Sequence, residues 1–473
     1  MDEFKTVIGL EVHAELDTKS KIYCGCTTEF GGEENTHVCP ICSGMPGVLP
    51  MLNRKVVEYC VRAGLALNCA INPYSRQDRK HYFYPDLPKA FQTSQFDQPL
   101  CLKGYVDIVA DGQPKRIGIT RIHIEEDAGK LIHEVGQTRV DYNRCGVPLI
   151  EIVTEPDFEN SAQVHAFLEA LREILLYTEV SNCKMEEGSL RCDVNLSIHR
   201  VGEPFGTRTE MKNLNSFSAA VAAVQYEAQR QRRVLSAGGK ITQDTLRWDD
   251  AAGNNYVMRS KEDADEYFYF PEPDIMPMVL SDGYIDRIRQ TLPELPAHRR
   301  ERYVSQMGLP LYDAQLLTVS KFISDFFDQT VAAGAQPKSV SNFIMGDIMR
   351  LLNERGWAAE KLPISAQSMA ELLSLIEKGA ISNSMGSKVI EIMFDEAKSP
   401  TDIVQERGMA QVSDAGAIRE MCRQVIAENP KIVDDYKGGK VKAITALVGQ
   451  VMKMSRGKAN PSMVNQLLEE LLN

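Results

Sequence analysis

The chain has 473 residues, 53 lysines and arginines against 65 aspartates and glutamates, a formal net charge of -12 and 43% hydrophobic residues. At about 100 to 200 residues per domain this length predicts two to four domains, and no apolar run reaches the roughly 18 residues of a membrane span, which excludes a membrane protein. The acidic balance argues against broad nonspecific nucleic-acid binding, and eleven cysteines without a secretory leader predict thiols or metal thiolates in a cytoplasmic protein, not a disulfide framework.

Period-two alternation predicts strands over Ile8 to Leu16 and over Cys192 to His199, each burying one face. Between them, Phe167, Leu168, Leu171, Ile174 and Leu175 predict a helix over Ser161 to Thr178; a second is predicted from Ser218 to Leu235, ending before Gly238-Gly239. The proline-rich stretch from Pro271 to Pro296 interrupts both periodicities and marks a boundary. Beyond it the apolar spacing is helical throughout. The expected class is α+β: a mixed-sheet N-terminal cradle domain over 1–292, an all-α domain over 293–404 and a small α-helical tail over 405–473. In the tail Lys437, Lys440, Lys442, Lys453, Arg456 and Lys458 bracket an apolar stripe with no acid among them, a local cationic face that suits a polyanion or a solvated amphipathic helix.

Cys24-Gly-Cys26 and Cys39-Pro-Ile-Cys42 place two thiol pairs within twenty residues, in a glycine-rich loop with little apolar content. Tetrahedral zinc on four thiolates would fasten such a loop; four reduced thiols is the plainer alternative, and His37 is a possible substitute ligand. On the first strand Glu11, His13 and Glu15 share the face opposite Ile8, Leu10 and Val12, and Asp193, Asn195 and Ser197 form a second polar row. Arg208, Glu210 and Lys212 form a third if their stretch is extended, and Glu125-Glu126-Asp127 ends a strand led by Ile122 and Ile124. Carboxylates with one imidazole suit magnesium, and neighbouring Arg and Lys suit a metal-held polyphosphate; any one row alone also fits a solvated strand face. No G-x-x-x-x-G-K-[ST], G-x-G-x-x-G or G-x-S-x-G motif occurs. The segment Arg79 to Lys89 packs aromatics, prolines and cations into an irregular stretch that reads as a site loop or as a rigid surface turn.

Over nearly its whole length the chain resembles the B subunits of the bacterial aspartyl/glutamyl-tRNA(Asn/Gln) amidotransferases. The resemblance is carried by Ile8-Gly-Leu-Glu-Val-His13, Cys39-Pro-Ile-Cys-Ser-Gly-Met-Pro-Gly-Val-Leu-Pro50, Arg79 to Lys89, His123-Ile-Glu-Glu-Asp-Ala-Gly-Lys130, Asp141-Tyr-Asn-Arg-Cys-Gly-Val-Pro-Leu-Ile-Glu151, Arg191-Cys-Asp-Val-Asn195, Glu210-Met-Lys-Asn-Leu-Asn-Ser216 and Gly457-Lys-Ala-Asn-Pro461. It implies a heterotrimer with an amidase subunit that releases ammonia from glutamine and a small third subunit, acting on misacylated tRNA(Gln) and tRNA(Asn). It implies ATP-dependent phosphorylation of the Glu or Asp side-chain carboxylate, then attack by ammonia. By position in these motifs Glu11, His13, Asp193, Glu210 and Glu126 are expected at magnesium, with Glu125 a weaker member, and Lys80 with Glu126 at the ammonia; Arg208 and Lys212, the cations of the third row, are expected at the nucleotide. The mobile helical tail is expected to grip tRNA. Two segments depart from the family pattern: Gln243-Asp-Thr-Leu-Arg-Trp-Asp249 displaces an arginine by one position, and Tyr267-Phe-Tyr-Phe-Pro271 puts Phe268 where a cation is expected.

Overall fold

The structure is a computed structural model that describes residues 3–260, 267–396, 398–409, 415–438, 440–455 and 459–472. It divides into two units, residues 1–295 and 296–473, at the proline-rich stretch.

The first unit is built on a nine-stranded sheet. Its strands, with those of a small neighbouring sheet, are β1 (Phe4–Glu15), β2 (Ala70–Ile71), β3 (Asp78–His81), β4 (Phe91–Ser94), β5 (Cys101–Ala110), β6 (Gln113–Glu126), β7 (Pro148–Thr154), β8 (Leu190–Arg200), β9 (Thr209–Leu214), β10 (Asp244–Asp249), β11 (Asn254–Ser260) and β12 (Phe268–Pro271). The large sheet runs β11-β10-β9-β8-β1-β7-β6-β5-β2, and the small one β12-β3-β4. Only β9 and β10 pair in parallel; the other ladders of both sheets are antiparallel.

An antiparallel sheet with one covered face alternates apolar and polar residues, and β1 does so: Ile8, Leu10, Val12 and Ala14 are buried while Gly9, Glu11, His13 and Glu15 are half-exposed. Three helices contribute to the core beneath it: α1 (Arg54–Ala66), α2 (Ser161–Tyr177) and α3 (Phe217–Ser236), with Val61, Phe167, Leu171 and Ala223 fully buried. Each starts at a polar cap whose side chain accepts a backbone N–H of the first turn, Asn53 from Lys55, Asn160 from Gln163 and Ser216 from Ala219. The other face of the sheet stays wet, and Arg79 to His81, expected in an irregular loop, belong to β3.

The second unit is helical. It has two separate apolar cores, one drawn from Tyr303 to Val404 and the other from Ile418 to Leu472. Among the described residues no helix is long and apolar enough to cross a membrane.

Candidate functional site

The ladder registers bring the polar rows together. Glu11 stands opposite Asp193 on β8, and Asn195 opposite Glu210 on β9, so three carboxylates from three strands meet with ligand atoms within 4.8 Å of one another. Asn195 donates to Glu11 at 3.0 Å, and the Lys212 ammonium lies 2.6 Å from Asp193 and 2.9 Å from Glu210. Burial opposes the charge on Lys212, but Asp193 and Glu210 outweigh it and raise its pKa. Glu11 is also raised, by burial first and then by the charges of Glu151, Glu210 and Asp193. Three strands thus concentrate negative charge, and Lys212 is a neighbouring counter-ion to it. A hard divalent cation fits this all-oxygen donor set.

One step along β1, His13 faces Glu151 on β7, which in turn faces His123 on β6. His13 lies 3.3 Å from Glu125 and 3.7 Å from Glu151; His123 lies 3.1 Å from Glu151 and 3.7 Å from Glu125. His13, Glu125 and Glu151 form a second three-ligand group within 4.8 Å. Burial works against a charged His123, but Glu151 and the hydrogen bonds to both carboxylates raise it to about 9, while burial of Glu151 is overcome by His123, which holds it at about 2. His13 is raised as well, burial opposing its charge and Glu125 and Glu151 favouring it. Glu151 and His123 were not expected at the site from sequence; the placing of Glu151 between the buried Ile150 and Ile152 was the available signal, and the ladder register is what made it specific.

Both groups open into a cavity of about 660 Å³ that Lys80, Arg121, Arg191, Arg208, Tyr267 and Tyr269 also line. Lys80 comes from β3 in the small sheet and sits 4.7 Å from the Tyr267 ring centroid; burial opposes its charge, but Tyr269, Glu125 and Glu151 raise it. Arg208 is exposed and has no ion-pair partner among the described residues. Of the two departures, Arg247 is exposed beside Lys212 in the β9–β10 register. Phe268 packs toward His81 and Phe270, whereas its neighbours Tyr267 and Tyr269 line the cavity, so the lost cation belongs to the other side of that strand.

Glu126 is placed differently from its expectation. A strand sends adjacent side chains to opposite faces, and Glu125 takes the wet one. Glu126 points into a separate cavity of about 170 Å³ with Tyr23, Arg79, Lys89, Glu272 and Asp274. There it accepts the Thr93 N–H at 2.8 Å and pairs with Lys89 at 2.5 Å. The structure gathers Glu11, His13, Glu125, Asp193 and Glu210 with Lys80, Arg208 and Lys212, but it brings Glu126 to neither three-ligand group.

The four cysteines Cys24, Cys26, Cys39 and Cys42 converge with their sulfurs within 4.8 Å of one another. Tetrahedral Zn–S bonds of about 2.3 Å set sulfur separations near 3.8 Å, and Cys39 and Cys42 lie 3.9 Å apart. The hydrogen bond from Cys24 holds the Cys42 thiol down to about 4 and pushes Cys24 above the ordinary thiol range. The fully buried Lys21 reaches Cys42 at 3.8 Å and the His37 carbonyl at 2.8 Å. The donor set suits zinc; His37 contributes a backbone oxygen to this network.

In the tail, Lys437, Lys440, Lys442 and Lys453 are exposed, and Lys440 pairs with Asp435 at 2.9 Å. Arg456 and Lys458 lie outside the described residues.

One sheet face thus carries two adjacent groups of three metal-type ligands beside lysines and arginines, and comparison identifies the family to which such a chain belongs. Residues 6–286 match the family described as the GatB/GatE catalytic domain, and residues 325–472 match the GatB domain. The chain is 57% identical over 476 residues to the B subunit of the aspartyl/glutamyl-tRNA(Asn/Gln) amidotransferase of Caldicellulosiruptor bescii, covering 99% of both chains. It is 56% identical over 473 residues to the corresponding chain of Thermoanaerobacter sp. strain X514, covering 100% of both, and 52% identical to that of Moorella thermoacetica, covering 99% of this chain and 100% of its relative. The chain belongs to the family of aspartyl/glutamyl-tRNA(Asn/Gln) amidotransferase B subunits.

Proposed function

We propose that this chain activates the side-chain carboxylate of Glu-tRNA(Gln), Asp-tRNA(Asn) or both by ATP-dependent phosphorylation, within a heterotrimer whose amidase subunit supplies ammonia and whose small third subunit completes the assembly. The observation that carries the reading is the pair of three-ligand groups, Glu11–Asp193–Glu210 and His13–Glu125–Glu151, side by side on one sheet face. Magnesium held there would neutralise phosphate oxygens, and phosphoryl transfer is catalysed largely by such charge stabilisation and positioning.

The protein's own groups have distinct work. Lys212 and Arg208 bind phosphate oxygens, and Glu11, Asp193 and Glu210 would hold the magnesium beside them. The substrate carboxylate oxygen attacks the γ-phosphorus and the bond to the leaving ADP oxygen breaks, giving an acyl phosphate. Ammonia then attacks its carbonyl carbon, phosphate departs, and the proton lost from nitrogen passes to a basic side chain. Lys80 projects toward the ligand groups and positions the nitrogen. Glu126, with Lys89, holds it on its way in, because only neutral ammonia is a nucleophile. Cys24, Cys26, Cys39 and Cys42 would hold zinc, and their loop, which walls this entry cavity, would be fastened by it. The tail's Lys437, Lys440, Lys442 and Lys453, with Arg456 and Lys458, contact tRNA phosphates.

The test uses the assembled complex supplied with ammonium, which bypasses the amidase. Glu11→Ala and Asp193→Ala should abolish ATP-dependent conversion of Glu-tRNA(Gln) or Asp-tRNA(Asn) while tRNA binding persists. Unchanged conversion would leave this chain as a noncatalytic tRNA-binding scaffold.

A further inference from the structure

We propose that Asn35 and Asn143 are positioning residues of the amidation reaction, a clasp through which the four-cysteine knot holds the wall of the catalytic cavity at Arg191. Between the two cysteine pairs, Glu33 to His37 are tied to Val140 to Asn143, the stretch that closes the hairpin of Lys130–Glu134 and Gln137–Asp141. The Asn35 side chain donates to the Val140 carbonyl at 3.0 Å and accepts the Tyr142 N–H at 2.8 Å. The Asn143 side chain does the reverse: it accepts the His37 N–H at 2.8 Å and donates to the Glu33 carbonyl at 2.7 Å. Each carboxamide offers both a donor and an acceptor, and so stands in for a peptide unit of the opposite stretch. Asp141 joins them, accepting the Asn35 N–H at 3.1 Å and the Asn143 N–H at 2.9 Å. The inference rests on the amidation reading above and extends it to residues that belong to neither ligand group.

Lys21 joins the clasp to the knot. Its ammonium is fully buried and has an acceptor for each of its three N–H groups: the His37 carbonyl at 2.8 Å, the Tyr142 carbonyl at 3.4 Å and the Cys42 sulfur at 3.8 Å. Four thiolates outweigh the charge of one zinc ion, so a loaded knot is anionic and a buried cation belongs beside it. One ammonium thus touches the knot and both stretches of the clasp. On its other side the clasp reaches the catalytic cavity. Arg144, the next residue, donates to the carbonyls of Ala128 at 3.0 Å and Gly129 at 2.9 Å and lies 3.4 Å from Asp127. Asp127 is buried and is shared with Arg191 at 2.7 Å, and Asp127, Ala128 and Arg191 all line the cavity. Arg191 stands opposite His13 in the β1–β8 register. The packing between is tight: a Cβ on Gly129 would lie 2.9 Å from the Tyr142 ring and 3.1 Å from the Asp141 carbonyl oxygen. Close-packed groups transmit strain, so a shift of Asp141 and Tyr142 carries 127–129 with it. Exposed hydrogen bonds compete with water, and the clasp therefore closes only where the knot and Lys21 already hold the loop.

The test combines hydrogen–deuterium exchange with steady-state kinetics on the assembled complex, with zinc bound, stripped by a chelator that spares magnesium, and restored. In the wild type, stripping should raise exchange over 127–129 as well as over 24–42. It should lower kcat of ammonium-driven conversion by about ten- to a hundredfold, the scale of a displaced positioning group, and change KM for ATP and for the misacylated tRNA by no more than about twofold. Added zinc should restore both. Asn35→Ala combined with Asn143→Ala should show the same loss of kcat while zinc-loaded and lose little more on stripping, because the link is already cut. Exchange that rises over 24–42 alone would overturn the coupling. So would a double variant with wild-type kcat, or one that still loses as much on stripping as the wild type, or a wild type that purifies without zinc and is unchanged by adding it. If the double variant fails to fold, exchange over 127–129 in the wild type decides alone. A wild type that converts nothing with ammonium and Mg·ATP would instead overturn the amidation reading, and the exchange arm, which needs no turnover, keeps the two failures distinct.

Discussion

Lys89 holds its ammonium 2.5 Å from the carboxylate of Glu126, in a cavity distinct from the one where Glu125, its chain neighbour, meets His13. Both partners are largely buried, with side-chain exposures of 15% and 4%. Breaking such a pair from one side leaves a buried charge without compensation and costs about 3 to 5 kcal/mol, whereas removing both charges costs far less. Lys89→Met should therefore lower the unfolding midpoint markedly, and Lys89→Met with Glu126→Gln should recover most of the loss. In the double variant, restored stability with glutamine-driven amidation still depressed relative to ammonium-driven amidation is the expected pattern for an ammonia passage. Equal rates from both donors would assign the pair to folding alone.

Glu151 is the ligand that sequence reasoning passed over, and it is the most instructive one to change. It is shared by His13 and His123. Glu151→Gln keeps the shape and removes the charge, so it should weaken activating magnesium by more than the ten- to hundredfold typical of losing an outer-shell partner. The readout is the magnesium dependence of ATP-driven conversion at saturating tRNA. A wild-type magnesium midpoint in this variant would remove the His13 group from the metal-binding site.

The alternation of β1 and β8 made the polar rows legible in the sequence, since period two is a local property that burial enforces residue by residue. Helix α2 was legible for the same reason, through the spacing of Phe167, Leu168, Leu171, Ile174 and Leu175, and α3 through its stop before Gly238-Gly239, whereas the caps at Asn160 and Ser216 emerged only in the structure. What the sequence did not hold was which rows meet. Glu151 joined His13 because β7 lies between β1 and β6, an order that no local pattern encodes. The exchange of Glu126 for Glu125 at the site has a smaller cause: a single residue step along β6 turns a side chain to the other face. Pairing of β3 with β4 and β12 likewise depends on partners that are distant or lie across a turn, which hid Arg79 to His81 as a strand.

The cysteine knot gives a prediction about order. If zinc fastens the loop, a chelator that strips the metal should make the segment from Cys24 to Cys42 cleavable by protease while the sheet remains protected, because the apolar core of the unit lies elsewhere. Cys39→Ser should reproduce this without chelator. A loop equally resistant with and without metal would mean that its own hydrogen bonds, such as Lys21 to His37, suffice.

Glu15 adds a pH dependence of defined sign. Burial first, and then the charge of Asp127, raise its pKa from 4.5 to about 8. Between those values the folded chain binds more protons than the unfolded one, so this group's contribution to stability falls as pH rises from about 4.5 to 8 and is flat above. Glu15→Gln should remove that part of the slope and leave the variant more stable than wild type at pH 8.5, measured by thermal unfolding. An unchanged slope would assign the proton to another group.

The tail predicts a graded electrostatic effect. Each phosphate contact contributes about 0.7 to 0.9 to the slope of log affinity against log salt. Lys437, Lys442 and Lys453 are exposed and have no ion-pair partner among the described residues, whereas Lys440 already pairs with Asp435. Replacing each in turn by glutamine should therefore reduce the salt slope of tRNA binding by nearly one unit at the first three and by less at Lys440. A uniform slope across all four variants would mean that the basic run is a solvated helix face and that tRNA is held elsewhere on the complex.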